Sequence, residues 1–169
     1  MAKRERRQPD PGEFEDPLSN YDPRQFEDQL EHSLSDDKVT AIEHRPFLAV
    51  LAGETVRATV DMMAEHNIAC VVVVNEQAEP VGIFSERDVM TRVAGQWPQV
   101  VDKPMSEVMT ATPAVVYSSE TPARVLNVMV SGGFRHVPVV DADGKLMGMI
   151  GARRLTAYLQ SYFPDSTGY

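Results

Sequence analysis

The sequence predicts an α/β protein in which two copies of one small unit pack as a pseudo-twofold pair behind an acidic N-terminal tail. Three observations carry that prediction. First, the chain repeats itself without a gap at an offset of 66 residues: Glu54-Thr55 recurs as Glu120-Thr121, Met63 as Met129, Val71 as Val137, Val73-Val74 as Val139-Val140, Gly82 as Gly148 and Arg87 as Arg153. A self-similar pair of this length means two copies of one folding unit. Second, each copy reads as strand, helix, strand, strand, helix from its apolar spacing. Third, Cys70 to Val74 is a continuous apolar run, as expected of a strand covered on both sides. The seam between two such halves is where a ligand would bind.

Residues 1–37 read as a tail. After a short basic start they are rich in Asp and Glu, with Arg24 the only Lys or Arg among the acids, and Pro9, Pro11, Pro17 and Pro23 break regular structure. One stretch differs. Asp22-Pro23 is a cap followed by proline at a first helical position, and Phe26, Leu30 and Leu34 then lie on one stripe, which predicts a short helix over 23–34. It either docks on the body or belongs to a solvated acidic leader.

The first repeat spans residues 38–98. Phe47 to Leu51 is a short strand, and Thr55 caps a helix that buries Val56, Val60, Met63 and Ala64 and ends near Asn67. Cys70 to Val74 is the central strand, Asn75 to Glu79 turn the chain, and Pro80 to Phe84 form the next strand. Ser85 then starts a helix carrying Val89, Met90 and Val93. Residues 99–169 hold the second repeat and most of the linker, which covers 96–112. Pro113 to Tyr117 is a strand, and Thr121-Pro122 opens a helix that stops at Gly132-Gly133. His136 to Val140 and Leu146 to Ile150 are strands around an Asp-Ala-Asp-Gly turn, and Arg153 to Tyr162 is the last helix.

Composition excludes several function classes. Apolar residues make up 43% of 169 residues, normal for a globular protein. No apolar run is long enough to span a bilayer, and the start lacks the apolar stretch of a secretion signal. Cys70 is the only cysteine, so no internal disulfide forms, and a cytoplasmic location is expected. A net charge of −9 argues against nucleic acid as a partner. Cys70 reads as a buried small hydrophobe, and the histidines lack metal-ligand spacing, so no metal is expected. Neither a nucleophile elbow nor a phosphate-cradling Gly-x-x-x-x-Gly-Lys-Ser/Thr loop is present, so no catalytic residue is assigned and no enzyme is expected.

The repeat, the segment Phe134-Arg135-His136-Val137-Pro138-Val139-Val140-Asp141, the stretch Gly82 to Asp88 and Val108-Met109-Thr110 together resemble a tandem pair of CBS domains, also called a Bateman module, over roughly residues 38–163. The resemblance implies two packed sheets with clefts between the repeats, an adenine nucleotide in a cleft, a dimer, and a regulatory rather than catalytic role. It also implies that the Gly-x-x-Ser/Thr-x-x-Asp pattern serves the nucleotide. The site residues carried over are Gly82, Ile83, Ser85, Asp88, Arg135, His136, Pro138 and Arg153, with Arg135 and Arg153 reaching phosphates.

The residues support that chemistry in their own right. Gly82 lets a backbone approach closely, while Ile83 and Phe84 offer apolar surface to a flat base. Ser85 stands where strand meets helix. Asp88, one turn on, can accept hydrogen bonds from two vicinal ribose hydroxyls. The same Ser-x-x-Asp is also a capping box, in which Ser85 caps and Asp88 answers the helix dipole. The second copy departs from the pattern, because Gly151 stands for Ser85 and Arg154 for Asp88. It should be empty or hold something else. Ala69 stands where relatives of the energy-sensing kinase gamma subunits often carry a basic residue.

The expectation is therefore a regulatory module that binds AMP, ADP or ATP and requires no cofactor. Binding would shift a homodimer or an unknown protein partner, since a ligand moves an equilibrium only by differential affinity. The alternative is a ligand-free dimerisation or protein-interaction module. The apolar residues Val89, Met90, Val93, Leu155, Leu159 and Phe163 would supply the dimer face.

Overall fold

A computed structural model describes residues 28–163. The predicted helix start at Asp22-Pro23, the stripe residue Phe26 and the acidic segment before them lie outside these residues. The fold is α/β with two sheets. A four-stranded sheet has the order β1 (Ala49–Leu51), β2 (Cys70–Val74), β3 (Pro80–Ser85), β4 (Thr110–Ala111). A three-stranded sheet has the order β5 (Val116–Tyr117), β6 (His136–Val140), β7 (Leu146–Gly151). In each, the first pair is parallel and the second antiparallel, with a register shift at Val73/Val74 and again at Val139/Val140. Helices α2 (Val56–Glu65) and α5 (Pro122–Gly132) are the crossovers. Thr55 caps α2 by accepting from Ala58 N at 3.2 Å, and Gly133 ends α5 at φ 65°, the left-handed turn that glycine adopts without strain.

The two repeats exchange their leading segments. Val39 and Ile42 are fully buried in the second repeat's core with Val116, Val125 and Ile150. Met105 and Val108 are buried in the first repeat's core with Val56, Val71 and Phe84. Matching backbone bonds fix both. Val39 N donates to Glu120 O at 2.7 Å, and Met105 N donates to Glu54 O at 2.8 Å. The linker is thus part of the first repeat, and Thr110–Ala111 becomes the fourth strand of its sheet. Between the sheets, Cys70, Val72 and Val74 on β2 meet Met149 on β7 in a third apolar cluster.

Of the helix predicted over 23–34, residues 29–34 fall in α1, Gln29–Asp36, which has Asp28 as its cap at 2.7 Å from Glu31 N, and residues 23–27 lie outside the described residues. α1 docks on α5, burying Ser33, while Tyr158 Oη donates to Ser33 O at 3.4 Å. Burial, then Tyr162 beside it, holds the Tyr158 phenol protonated, well above its ordinary value.

The second helix of each repeat differs from expectation in the first copy. Instead of one helix from Ser85, there is a three-residue α3 (Glu86–Asp88), a π turn over Val89–Val93 closed by Ala94 N to Val89 O, a 3₁₀ turn, and α4 (Trp97–Val100). Gly95 weakens a continuing helix and Pro98 restarts one. Its counterpart α6 (Ala152–Gln160) runs unbroken. Of the expected dimer face, Val93 and Leu155 are core residues, while Met90 and Phe163 are exposed. Among the described residues, no helix is long and apolar enough to cross a membrane.

Gly82 and Gly148 occupy equivalent, crowded places. A Cβ on Gly82 would overlap the Met109 side chain, with Cγ at 2.8 Å, whereas a Cβ on Gly148 would meet the backbone oxygen of His44 at 2.6 Å. A methionine side chain turns aside, but a backbone pinned by Met149 N donating to His44 O at 2.9 Å does not. Gly148→Ala should therefore cost about 1–3 kcal/mol in urea unfolding, the range for overpacking, and Gly82→Ala less. Equal losses would mean that the His44 backbone yields as easily as Met109.

Candidate functional site

One cleft of about 390 Å³ opens at the seam. The first repeat contributes Ile83 and Ser85 from β3, then Glu86, Arg87, Asp88 and Arg92. The second contributes Phe134, Arg135 and His136 from the entry to β6, and Thr110 comes from the exchanged segment. The pseudo-twofold is the reason these chain segments meet. Glu86 N donates to Ala69 O at 3.0 Å in one repeat, and Ala152 N to Arg135 O at 2.9 Å in the other, so each β-to-helix corner is tied to the entry of its neighbouring strand.

Asp88 is buried and fully engaged. Its Oδ2 accepts from Ser85 N at 2.9 Å and from Ser85 Oγ at 2.7 Å, which realises the capping box. Its Oδ1 lies 3.4 Å from Arg92 Nε. The cap and the cleft therefore use the same carboxylate. Burial, reinforced by Asp88, pushes the Cys70 thiol up to about 12, so it stays protonated at the cleft floor. Burial first, and the Arg135 charge second, hold His136 below its ordinary value of 6.5, against a smaller upward pull from Glu86.

The second cleft measures about 200 Å³ and is lined by Ala69, Cys70, His136, Gly151, Arg153 and Arg154, with others. Arg154 closes it. Its guanidinium donates to Met149 O at 2.9 Å and Pro46 O at 2.6 Å, with Glu43 at 4.0 Å. Cys70 and His136, equivalent residues of the two copies, form a wall shared by both clefts.

The sequence model of the CBS domain matches residues 39–95 and again 105–161. The chain belongs to the CBS domain family. An uncharacterised 17.7 kDa protein of Acidianus ambivalens is 30% identical over 122 residues, covering 72% of this chain and 73% of that one. The chain spans smaller parts of longer relatives, for example 53% of a Methanopyrus kandleri protein. A crystal structure of a CBS-domain protein from Agrobacterium tumefaciens is 29% identical, with a TM-score of 0.59 over 68% of this chain and 84% of that one. A CBS domain protein from Pyrobaculum aerophilum complexed with AMP has the same fold at 22% identity, with a TM-score of 0.63 over 73% and 98%.

Within this CBS pair, five of the eight expected site residues line one cleft: Ile83, Ser85, Asp88, Arg135 and His136. Three do not. Gly82 is buried against Met109, so its close approach serves packing. Pro138 is buried in β6 opposite Met149. Arg153 lines the other cleft, because the repeat gives it the place that Arg87 holds in the first. Phe84 is core as well, leaving Ile83 as the apolar surface of β3 in the cleft. Arg87, Arg92, Thr110 and Phe134 were missed. The 66-residue offset pointed to Arg87 through Arg153, while Arg92 has Tyr158 as its counterpart and left no repeat signal. Among the described residues, no group of three or more His, Cys, Asp or Glu is placed to hold a metal.

The depressed His136 has a consequence for stability. Its folded-state affinity for a proton is below the unfolded value, so the unfolded chain takes up more protons as pH falls under about 6.5. Stability should fall from pH 7.5 to pH 5.5, and His136→Gln should flatten that fall. Parallel wild-type and mutant profiles in urea titrations would remove His136 as the cause.

Proposed function

We propose that this CBS pair is a regulatory module that binds one adenine nucleotide, AMP, ADP or ATP, in the cleft holding Asp88, and acts by shifting a dimer or partner equilibrium rather than by catalysis. The observation that carries the reading is the unequal pair of clefts. One is about 390 Å³, a size suited to small-molecule sites, and holds two carboxylates, a serine, an apolar strand residue and three arginines. Its twin is about half that size and filled by Arg154. Asp88 suits vicinal ribose hydroxyls, Ile83 and Phe134 suit a flat base, and Arg87, Arg92 and Arg135 suit an anion in a chain of net charge −9. The AMP complex of the Pyrobaculum aerophilum relative supports the same ligand class.

Calorimetry of the full chain with AMP, ADP and ATP tests this. One site per chain is expected. Asp88→Asn, which keeps a cap acceptor, should weaken binding roughly tenfold or more. Two equivalent sites, or undiminished affinity in a folded Asp88→Asn, would sink the assignment, and silence with all three nucleotides would favour the ligand-free interaction module.

The dimer belongs to the same reading. α1 covers part of α5 in the second repeat, while the first repeat leaves a groove lined by Val60, Met63, Ala64, Ile68, Val89 and Met90. Met90 is 70% exposed there. A symmetric dimer at micromolar concentration is expected in sedimentation, weakened by Met90→Asp. A monomeric mass across that range would exclude it.

A further inference from the structure

We infer that Arg92 is the phosphate-sensing side chain of the first cleft, which trades the Asp88 carboxylate for the ligand's phosphate when a nucleotide arrives. This rests on the reading of that cleft as a nucleotide site. Asp88 Oδ2 is taken by both Ser85 donors, so Oδ1 is the edge left for a ribose hydroxyl. Arg92 occupies that edge, with Nε at 3.4 Å. The two partners differ in freedom. The Asp88 side chain is 12% exposed and Arg92 46%, so the carboxylate stays and the guanidinium moves. At 3.4 Å, with its guanidinium partner half exposed, this contact is long and open to water on one side, so a ribose hydroxyl can compete for Oδ1. The released guanidinium remains tethered one turn from Asp88, in a cleft it already lines beside Arg87 and Arg135. Its planar fork matches phosphate oxygens in pairs.

Two further features fit this role. Arg92 sits in the π turn Val89–Val93, and π turns concentrate at functional sites. Its counterpart Tyr158 lies in the regular α6, edge-on to Tyr162 and beneath α1, in the copy whose cleft is closed. Arg92 also donates to Val108 O at 3.2 Å. Val108 belongs to the segment exchanged between the repeats, so moving Arg92 onto a phosphate withdraws a bond from that segment. An uncharged ribonucleoside would displace Arg92 without giving it a new anion, which makes the response depend on phosphate.

The test is calorimetry of the full chain with two probes, AMP and adenosine, on wild type, Arg92→Ala and Arg92→Lys. Wild type should bind AMP at least about tenfold more tightly than adenosine. Arg92→Ala should weaken AMP about tenfold and leave adenosine unchanged or tighter, and Arg92→Lys should fall between. A purely structural role would lower both ligands alike, and that outcome, or no loss for either, overturns the inference while leaving the nucleotide site standing. A wild type that binds neither probe overturns the nucleotide reading itself, and this inference with it.

Discussion

The reciprocal exchange of leading segments is the interaction on which the rest of the molecule depends. Val39 and Ile42 complete the second repeat's core, and Met105 and Val108 complete the first. Burying an apolar side chain of this size contributes about 1.5–3 kcal/mol, so each exchange is worth several kcal/mol from its two anchors alone. Drawing the repeats apart would expose all four and break the bonds from Val39 N and Met105 N. The pair is therefore one cooperative body. A ligand at the seam can alter loops, side chains and the outer surface, but it cannot act by separating the halves.

That fixed pseudo-twofold makes two clefts with a common wall. Cys70 and His136 stand at equivalent places on it, and both are held neutral near pH 7, the thiol by burial and the imidazole by burial and Arg135. The wall carries no charge, so the rims decide what each cleft attracts. The first rim mixes Asp88 and Glu86 with Arg87, Arg92 and Arg135, while the second presents Arg153 and Arg154. In the first, the Arg92–Asp88 contact at 3.4 Å pairs two of these charges, while Glu86, Arg87 and Arg135 are exposed to solvent.

Much of the architecture was legible because local and global signals agree. The 66-residue offset fixed two copies, and the boundaries of β2 and β6 follow from apolar runs that the sheets bury on both faces. What could not be read was partnership across the repeats. The stretch 96–112 reads as a linker because its apolar residues, among them Val100, Met105 and Val108, show no sustained periodicity; the first repeat's core takes them in. The broken helix after Ser85 was hidden for a similar reason. Val89, Met90 and Val93 have helical spacing, and the π turn changes their facing, so that Val93 is buried and Met90 is not. Within the site, Asp88 and Ser85 carried a motif, whereas Arg92 entered through three-dimensional proximity alone. Arg153 lines the second cleft, where the chain's own symmetry pairs it with Arg87 of the first.

The symmetry of the two clefts breaks at a residue that neither of them contains as a ligand group. In the first repeat, Thr112 N donates to Val81 O at 3.0 Å and extends the pairing of β3 with β4. The equivalent position in the second repeat is Pro46, which has no N–H to give. Met147 O, the counterpart of Val81 O, accepts instead from Arg45 Nε at 2.9 Å, and the second sheet stops at three strands. Past His44 O, which still accepts from Met149 N, the exchanged segment is held by side chains. Arg154 does so by bridging Met149 O and Pro46 O, and in reaching them its guanidinium fills the space that Asp88 leaves open in the first repeat. Loss of the fourth strand and closure of the second cleft are thus one structural event. An aspartate at 154 would leave Pro46 O without this donor, so reopening the cleft would also loosen the exchange that holds the repeats together.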